Sequence, residues 1–551
     1  MKLTSFTTLA GLALASSLQA QGFKTAEFPY LLATSSSNFD YEPIITTGDR
    51  VPLTSGFGYT GSEFAFAGIP DAMGVYKDRT SGKNILFVAH ETPSSVQTTP
   101  LPGQATFRGA FVSRFDLATD GSILSGGPAH KELFLGNTFH ASEPPRGASG
   151  PAFTRFCSGS FAGPEHGMDR PMFLTNEESG SGNYDAAGSQ SVMVVDGKMH
   201  TLPDLGRVVR ETTLVQPRRD AQTVIISSED GGSPSFVYMY VGTKQRRSSS
   251  VLDKNGFTGG KIYVLAGRDQ QDNEGTFTSG SLPTKWVEVP NGKNMNANDL
   301  ATAADAAGAF GFVRVEDIEF DPTAPTRSLY LGVTGGSGPN RLGRLYEVTM
   351  NPVNPIANGT LNVIYNADDI ITPGGTYSGV VGRIGTGFPG LMGEYTGGNI
   401  NAGVDFAVSV DNIAVSKDFI MVQEDTNSPA NAVYAKYVRN SGIWSLDRNS
   451  GNTAKLESTF NYPAIESRDS LPFALSAGRF ESSGIIVSDA FFGSGTFIVN
   501  VQGHNQTTGG VTSGRTTALA DDGITKLTGS QFRSRYAEDG QVLIMRPKSG
   551  N

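Results

Sequence analysis

The chain consists largely of short runs in which apolar residues are continuous or alternate with polar ones, separated by glycine, proline, asparagine and aspartate. The clearest runs are ILFVAH, AFVSRFDL, PMFLTNEE, SVMVVD, TVIISSED, SFVYMYVG, KIYVLAG, SLYLGVT, RLYEVTM, DFIMVQED, GIIVSDA, TFIVNVQ and QVLIMRP. Their length and two-residue period are typical of β-strands. Their density from Ile85 to Pro547 predicts continuous antiparallel β-structure, and only the alanine-rich stretch Asn298 to Ala309 predicts a helix.

Composition agrees with an all-β protein. Among 551 residues there are 68 glycines, and charged residues make up only 17%, a balance that favours strands and tight turns over helices. No long low-complexity linker divides the sequence, so residues 21–551 are predicted to form one domain. The net charge of −10 argues against a nucleic-acid partner, because phosphate backbones select basic surfaces.

The N-terminus has the pattern of a secretory signal peptide. A lysine at position 2 precedes an apolar stretch that runs to about Leu14, and small residues close the segment near Ala20. We expect residues 1–20 to be removed and the mature protein to be secreted or periplasmic. No later segment has the uninterrupted apolar length of a membrane-spanning helix.

A weak internal repeat runs through the middle of the chain. Three segments, each with an acidic start, a short strand, a polar turn and a second apolar strand, begin at Glu211, Glu316 and Asp411, spaced by 105 and then 95 residues. Since a propeller blade takes roughly 40–50 residues, each interval is predicted to span about two blades of a six-bladed β-propeller. The innermost strands would bring these acids together on the axis, where like charges need bound metal ions.

Cys157 is the only cysteine, so it has no partner for an intrachain disulfide. It is a buried small hydrophobe, a nucleophile or a soft metal ligand. The segment that it opens ends in Glu177 and Glu178, and the distant run RVEDIEFDP adds Arg314 and further acids at the start of a predicted strand. A thiolate, several carboxylates and an arginine together favour a metal site that handles an anion.

Several motifs together resemble the PhoX-type alkaline phosphatases, a family of secreted bacterial phosphomonoesterases. The motifs are GIPDAMG, FVAHE, Cys157 with LTNEE, LGRVVRE, SSEDGG followed by FVYMYVG, RVED, and VDNIAV with VQED. They cover most of the mature chain in patches, and their order carries more weight than any one of them.

The resemblance implies a six-bladed propeller with ferric iron and calcium at its axis. Cys157 stands where the family's iron-binding cysteine is expected, and Arg314 matches an arginine that contacts the substrate phosphate. The acidic positions expected to bind metal, with Asp411 added from the internal repeat, are Glu177, Glu178, Glu211, Glu229, Asp230, Glu316, Asp411, Glu424 and Asp425. Hard oxygen ligands suit calcium, a thiolate suits iron, and arginine offers a bidentate fork to phosphate.

Three features depart from the family's usual pattern. Arg210 stands where a histidine usually precedes the glutamate, the signal peptide lacks twin arginines, and the C-terminal third, FESSGIIVSDAFFGSGTFIVNVQGH, is closer to a divergent branch. Of the six histidines only His90, which precedes Glu91 in a predicted strand, is expected to be able to face the site.

The favoured interpretation is a monomeric, secreted, metal-dependent phosphatase that acts on small phosphate monoesters, with no membrane or nucleic-acid partner. One alternative is a calcium-dependent propeller hydrolase of the phytase or phosphotriesterase kind, which needs the acids but no iron. Another is a noncatalytic extracellular propeller that calcium stiffens and that binds carbohydrate or protein through its loops.

Overall fold

The computed structural model describes most of the chain after the N-terminal segment. The described residues are 22–180, 184–268, 272–372, 376–377, 407–425, 434, 441–451, 453–461, 464–465, 480–504, 519–527 and 529–549. The predicted signal peptide, residues 1–20, lies outside them.

Strands dominate the described residues. In the first half of the chain they are β1 (Leu31–Ala33), β2 (Phe39–Thr46), β3 (Arg50–Pro52), β4 (Glu63–Ala65), β5 (Pro70–Lys77), β6 (Asn84–His90), β7 (Gln97–Thr98), β8 (Phe107–Arg108), β9 (Phe111–Leu117), β10 (Ile123–Pro128), β11 (Glu132–Leu135), β12 (Thr138–Ala141), β13 (Phe156–Ala162), β14 (Met172–Glu177), β15 (Ser191–Val195), β16 (Lys198–Thr201), β17 (Arg210–Val215), β18 (Gln222–Glu229) and β19 (Val237–Thr243). In the second half they are β20 (Lys261–Gly267), β21 (Ser281–Glu288), β22 (Val315–Phe320), β23 (Ser328–Val333), β24 (Arg344–Thr349), β25 (Gly359–Asn366), β26 (Ile371–Thr372), β27 (Thr376–Tyr377), β28 (Val410–Val415), β29 (Phe419–Glu424), β30 (Ile443–Asp447), β31 (Thr453–Phe460), β32 (Phe480–Val487), β33 (Phe497–Gly503) and β34 (Asp539–Pro547). Every apolar run named above falls on one of these strands.

Helices are few and short. Those described are α1 (Val251–Lys254), α2 (Ala297–Ala306), α3 (Asp489–Phe492) and α4 (Gly529–Tyr536), with 3-10 turns at Pro164–His166, Pro203–Leu205, Gly292–Asn294 and Ala367–Ile370. The predicted helix is α2, and the Asn296 side chain caps it by accepting a hydrogen bond from the Asp299 amide at 3.0 Å. In the described part of the chain, no helix is both long and apolar enough to cross a membrane.

The sheets are arranged around a ring of strands. Among the described residues, six strands contact one another in a closed circle, in the order β5, β13, β17, β22, β28, β32 and back to β5. Each of them is an edge strand of its sheet, and the nine-stranded sheet contributes both of its edges, β17 and β22. We call these the innermost strands. From each of them the next strands of the chain extend outward by antiparallel pairing, which is the predicted β-propeller architecture.

The outer edges of the sheets are joined in two ways. Strands β17–β20 and β22–β25 are bridged by β21 into one nine-stranded sheet, so the number of separate blades stays a prediction. The early strands β1 and β2 pair with β31 and β34 of the last two sheets. Chain segments more than 400 residues apart in the sequence therefore close the ring through backbone hydrogen bonds.

The core lies between neighbouring sheets. Met193 of β15 and Ile225 of β18, for example, belong to one buried apolar cluster between the β13 and β17 sheets, and each remaining pair of neighbours encloses a similar cluster. Removal of this apolar surface from water holds the sheets together face to face. The ring of innermost strands is thereby held in place from outside.

The prediction that each interval of the repeat spans about two blades is wrong. Glu211, Glu316 and Asp411 lie on β17, β22 and β28, which are consecutive innermost strands, so each interval spans one unit and not two. The intervals are long because insertions extend them: α1, β21 and α2 precede β22, and a long segment outside the described residues precedes β28. A blade length counted without insertions underestimates such intervals.

One buried histidine makes the fold sensitive to acid. His130 is 1% exposed, and burial lowers its pKa from 6.5 to about 3. Between pH 6.5 and 3 the unfolded chain therefore binds one proton more than the folded protein. The stability that this residue contributes is present above pH 6.5 and is lost as the pH falls through that window.

We predict that His130→Phe weakens the dependence of the unfolding free energy on pH between 6 and 4. The slope should fall by up to about 1.4 kcal/mol per pH unit, the value for one proton, as measured by urea unfolding at several pH values. His140→Phe is the control, because His140 is exposed. Equal slopes in the wild type and His130→Phe would contradict the prediction.

Candidate metal centre

One side chain from each innermost strand points toward the same end of the axis. It is the second residue of the strand in every case: Asp71 of β5, Cys157 of β13, Glu211 of β17, Glu316 of β22, Asp411 of β28 and Glu481 of β32. Five of these six positions are carboxylates and one is the thiol. We call this set the inner positions.

A second set lies beside the first. The residue directly after the second strand of each unit is Glu91, Glu178, Asp230, Thr334, Asp425 or His504, and we call this set the outer positions. In five units the strand register shifts just after the first residue pair, as between Arg210 and Thr213 opposite β18. Such a bulge places two residues opposite one and re-aims a side chain, so the inner residue can turn to the axis.

Ligand-type atoms from these positions lie close together. They form three groups in which the potential ligand atoms are all within 4.8 Å of one another. The groups are Asp71, Glu91 and Cys157; Cys157, Glu178 and Glu211; and Asp411, Asp425 and Glu481. Cys157 belongs to two of them, and its Sγ lies 3.3 Å from Asp71 Oδ2. The third group contains only oxygen ligands.

Burial and mutual repulsion disfavour the ionised forms of the acids in these groups. Burial first, and then the charges of Glu91 and Glu211, raise the pKa of Asp71 well above its usual value. Burial and neighbouring acids likewise raise the pKa values of Glu178, Glu316 and Asp411, and burial raises that of Glu211 to about 7. The same two effects raise the pKa of the Cys157 thiol. Cations would relieve this repulsion.

Two buried carboxylate oxygens indicate that the residues fit metal ions. Asp71 Oδ1 and Glu211 Oε2 have no hydrogen-bond partner among the described residues, although the other oxygens of both groups are bonded. Asp71 Oδ2 accepts from Gln502 at 2.9 Å, and Glu211 Oε1 accepts from the Ser158 amide at 3.2 Å. Buried acceptors without a partner are costly, and a cation satisfies them.

Arg314 lies on the other side of the cluster. Its guanidinium is 2.6 Å from Glu316, 3.0 Å from Asp230 and 3.3 Å from Asp425. These charges, Glu316 above all, raise the pKa of Arg314. The side chain remains 28% exposed, so Arg314 is in part accessible to solvent.

Three of the predicted ligands point away from the axis. Glu177, Glu229 and Glu424 end their strands, and their carboxylates accept hydrogen bonds from backbone amides nearby. Glu177 binds the amides of Thr154 and Gln190 at 3.1 and 3.0 Å. Glu229 binds that of Phe236, and Glu424 binds those of Val408 and Gly442. In each acidic pair the second member, Glu178, Asp230 or Asp425, occupies the outer position.

Arg210 and His90 also lie within the sheets. Arg210 is 1% exposed and donates to the carbonyls of Gly206 and Leu205 and to Ser191 Oγ, so its side chain serves the packing between sheets. His90 bonds to the Gly68 carbonyl and to Ser113 Oγ. The expectation that His90 can face the site is wrong, because both of its ring nitrogens bind within the sheet.

Four residues at the centre were not among the sequence-predicted site residues. Asp71, Glu91 and Glu481 belong to the three groups, and His504 bridges Glu481 at 3.5 Å and Glu538 at 2.8 Å. Although burial opposes its protonation, these two acids raise the pKa of His504. The signal that was available is positional, since Asp71 and Glu481 hold the same place in their strands as Glu211.

A polar layer lies directly below the inner positions. The Asn412 side chain, on β28, donates to Ser158 Oγ, on β13, at 2.7 Å. Asp317, next to Glu316, accepts from Thr212 Oγ1 and from the Ile413 amide. Each of these residues follows an inner position by one or two places, so hydrogen bonds join the innermost strands directly beneath the acids.

This arrangement agrees with a comparison of the sequence with protein families. A model of the family described as alkaline phosphatase PhoX matches residues 195–504, which is more than half of the chain. The chain belongs to this family. The PhoX match covers the inner positions from Glu211 to Glu481 and the outer positions from Asp230 to His504. The expected family and the expected all-β propeller class are confirmed.

A solved PhoX structure has a similar fold. Pseudomonas fluorescens PhoX in complex with vanadate, described as a transition state analogue, matches with a TM-score of 0.56 and 13% identity over 96% of this chain and 98% of that one. A thermostable family-43 glycoside hydrolase matches over 57% of this chain with a TM-score of only 0.18 and 10% identity. No curated protein matches the chain.

The neighbours Glu177 and Glu178 offer a matched test of the centre. We predict that Glu178→Gln lowers the amount of metal that copurifies with the protein, because it removes an anionic ligand. Glu177→Gln should leave the metal content unchanged and lower the unfolding free energy by about 1–3 kcal/mol, since the two oxygens of Glu177 accept from two backbone amides and glutamine offers only one acceptor oxygen. Elemental analysis and urea unfolding measure the two effects, and the reverse pattern would refute the assignment.

Proposed function

We propose that the chain is a secreted, metal-dependent phosphatase that hydrolyses phosphate monoesters at the centre formed by the inner and outer positions. The family consists of phosphatases, which supports the activity. The observation that carries the site is the cluster itself: the thiol and nine carboxylates of the inner and outer positions lie at one end of the axis, and Arg314 pairs with three of these acids. Two buried oxygens of the cluster have no partner in the described residues.

We assign the three groups to metal ions by the chemistry of their donors. The two groups that share the Cys157 thiol suit iron, because a thiolate is a soft ligand. The group of Asp411, Asp425 and Glu481 offers only carboxylate oxygens, which suit calcium. When bound, such ions supply charge neutralisation for phosphoryl oxygens and a nucleophile at working pH.

The residues of the chain hold these donors in place. Gln502 donates to both Asp71 and Glu91 at 2.9 Å, and so fixes two acids of one group. The Cys157 thiol must lose its proton to act as a ligand. The hydrogen bond from Asn412 to Ser158 joins two innermost strands below the acids, so we propose that substrate enters from the rim, where Arg314 binds its phosphate oxygens.

Cys157→Ser separates this proposal from its alternatives. We predict that the variant loses bound iron together with hydrolysis of 4-nitrophenyl phosphate, because a serine hydroxyl is a poor substitute for a thiolate. Metal content and turnover are measured on the same sample. Unchanged turnover would favour a calcium-dependent hydrolase without iron, and absence of turnover in both wild type and variant would favour a noncatalytic propeller.

Arg314→Met tests the proposed phosphate contact. We predict a fall in kcat/KM for 4-nitrophenyl phosphate of about 10²–10³-fold, the usual cost of losing one donor to a developing oxyanion. Arg314→Lys should recover part of the loss, since it restores the charge without the fork. An unchanged kcat/KM in Arg314→Met, with metal content as in the wild type, would remove Arg314 from the substrate site.

The secreted location rests on residues 1–20 alone. We predict that the exported protein begins near Gln21, after the small residues that end the apolar stretch. N-terminal sequencing of protein recovered outside the cytoplasm measures this, and an intact Met1 there would contradict it.

A further inference from the structure

The residue two places before an inner position has a recurrent geometry. Arg155, which precedes Cys157, and Arg314, which precedes Glu316, both adopt positive φ, at 45° and 61°. Ile69 and Ser409 do the same before Asp71 and Asp411. In each of these four units the carbonyl of this residue accepts a hydrogen bond from the amide at the outer position or its equivalent, as from Glu178 to Arg155 at 3.0 Å.

Arg155 and Arg314 therefore occupy equivalent places in two different units. Left-handed backbone is costly for a residue other than glycine, and here the repeated carbonyl bond holds it. The geometry brings both arginines to the rim, directly above the inner positions. Arg314 is the residue that we propose to bind the substrate phosphate, so Arg155 is placed to approach the same substrate from another side.

The two guanidinium groups differ in the number of carboxylates that lie within ion-pair distance. Arg314 has three carboxylates within 3.3 Å. For Arg155 one carboxylate is within ion-pair distance among the described residues, Glu178 at 3.5 Å, and its side chain is 51% exposed. About half of the Arg155 side chain thus faces solvent beside Glu178, where its guanidinium can meet an anion.

A cavity of about 320 Å³ adjoins this guanidinium. Arg155 and Glu91 line it together with His504, Glu538 and Arg533. The two acids in its wall already have partners, since Glu91 accepts from Gln502 and Glu538 bonds to His504. The lining thus presents the two arginines Arg155 and Arg533 beside acids that already have partners.

We propose that this cavity holds the leaving group of the phosphate monoester, and that Arg155 selects leaving groups that carry an anionic substituent of their own. This inference rests on the proposed function. It assigns the substrate class: monoesters whose alcohol part bears a carboxylate or a second phosphate, in preference to monoesters of neutral alcohols.

The test uses the metal-loaded protein as purified and three non-hydrolysable phosphonates. These are benzylphosphonate, 4-carboxybenzylphosphonate and 1,4-bis(phosphonomethyl)benzene, and calorimetry measures their affinities. The wild type should bind at least one of the two compounds with a second anionic group about tenfold more tightly than benzylphosphonate. This is the advantage expected for one charge-assisted contact. The two doubly anionic compounds show which anion, carboxylate or phosphate, Arg155 prefers.

Arg155→Met should reduce this preference to less than twofold, and Arg155→Lys should retain part of it. The matched control is Arg170→Met, because Arg170 is an exposed arginine whose ion-pair partners, Asp169 and Asp196, lie outside the cavity. A purely structural role for Arg155 would change all three affinities together and leave their ratio intact. Metal analysis of each variant verifies that the centre is loaded.

Two outcomes would overturn the inference: a wild type without preference, or a preference that Arg155→Met preserves. The hydrolysis of phenyl phosphate by the wild type is measured in parallel, because its absence refutes the proposed function separately from the affinity ratios. Turnover of phenyl phosphate with no anionic preference would retain the phosphatase and remove Arg155 from the recognition of substrate.

Discussion

Like charges crowd one end of the propeller axis, and the rest of the structure must accommodate them. Asp71, Glu211, Glu316 and Asp411 are each at most 6% exposed, and their neighbours are further acids and a thiol. Charges so close in a poorly hydrated space repel one another by several kcal/mol unless opposite charge is present. Arg314 and Arg155 supply two positive charges at opposite parts of the cluster, which is fewer than the number of acids, and the groups around Cys157 could hold metal ions.

The fold resists this repulsion through its backbone. Apolar clusters between neighbouring sheets hold the ring of innermost strands in place, and hydrogen bonds such as that from Asn412 to Ser158 join these strands below the acids. In five of the six units a bulge at the inner position aims the side chain without bending the whole strand. The centre is therefore preorganised by elements that do not themselves bind metal, as precise ligand geometry requires.

Much of the fold could be predicted from the sequence, because a two-residue period reports strands directly. The apolar runs and α2 were found in this way. The spacing of the repeat was not, since α1, β21 and α2 are insertions whose effect on blade length is invisible to a periodicity argument. The sequence around Arg210 likewise does not indicate that its side chain serves packing. Its hydrogen bonds to the carbonyls of Leu205 and Gly206 form only when the strand folds against the preceding loop.

The site could be predicted in outline and not in detail. Cys157 and the acids of the repeat could be singled out, yet the pair Glu177 and Glu178 looks symmetrical in the sequence. Alternation along the strand turns one carboxylate to backbone amides and the other to the axis. Asp71 and Glu481 were missed because neither stands in an acidic run. They hold the same place in their strands as Glu211, but the repeat recognised in the sequence covers only the segments that begin at Glu211, Glu316 and Asp411.

The most direct test of the account is an anomalous difference map from crystals of the purified protein, collected on both sides of the iron absorption edge. The account predicts iron peaks beside Cys157 Sγ, and a calcium site among Asp411, Asp425 and Glu481. An axis without anomalous peaks, in protein that elemental analysis shows to be free of iron and calcium and that still folds and hydrolyses phosphate monoesters, would contradict it.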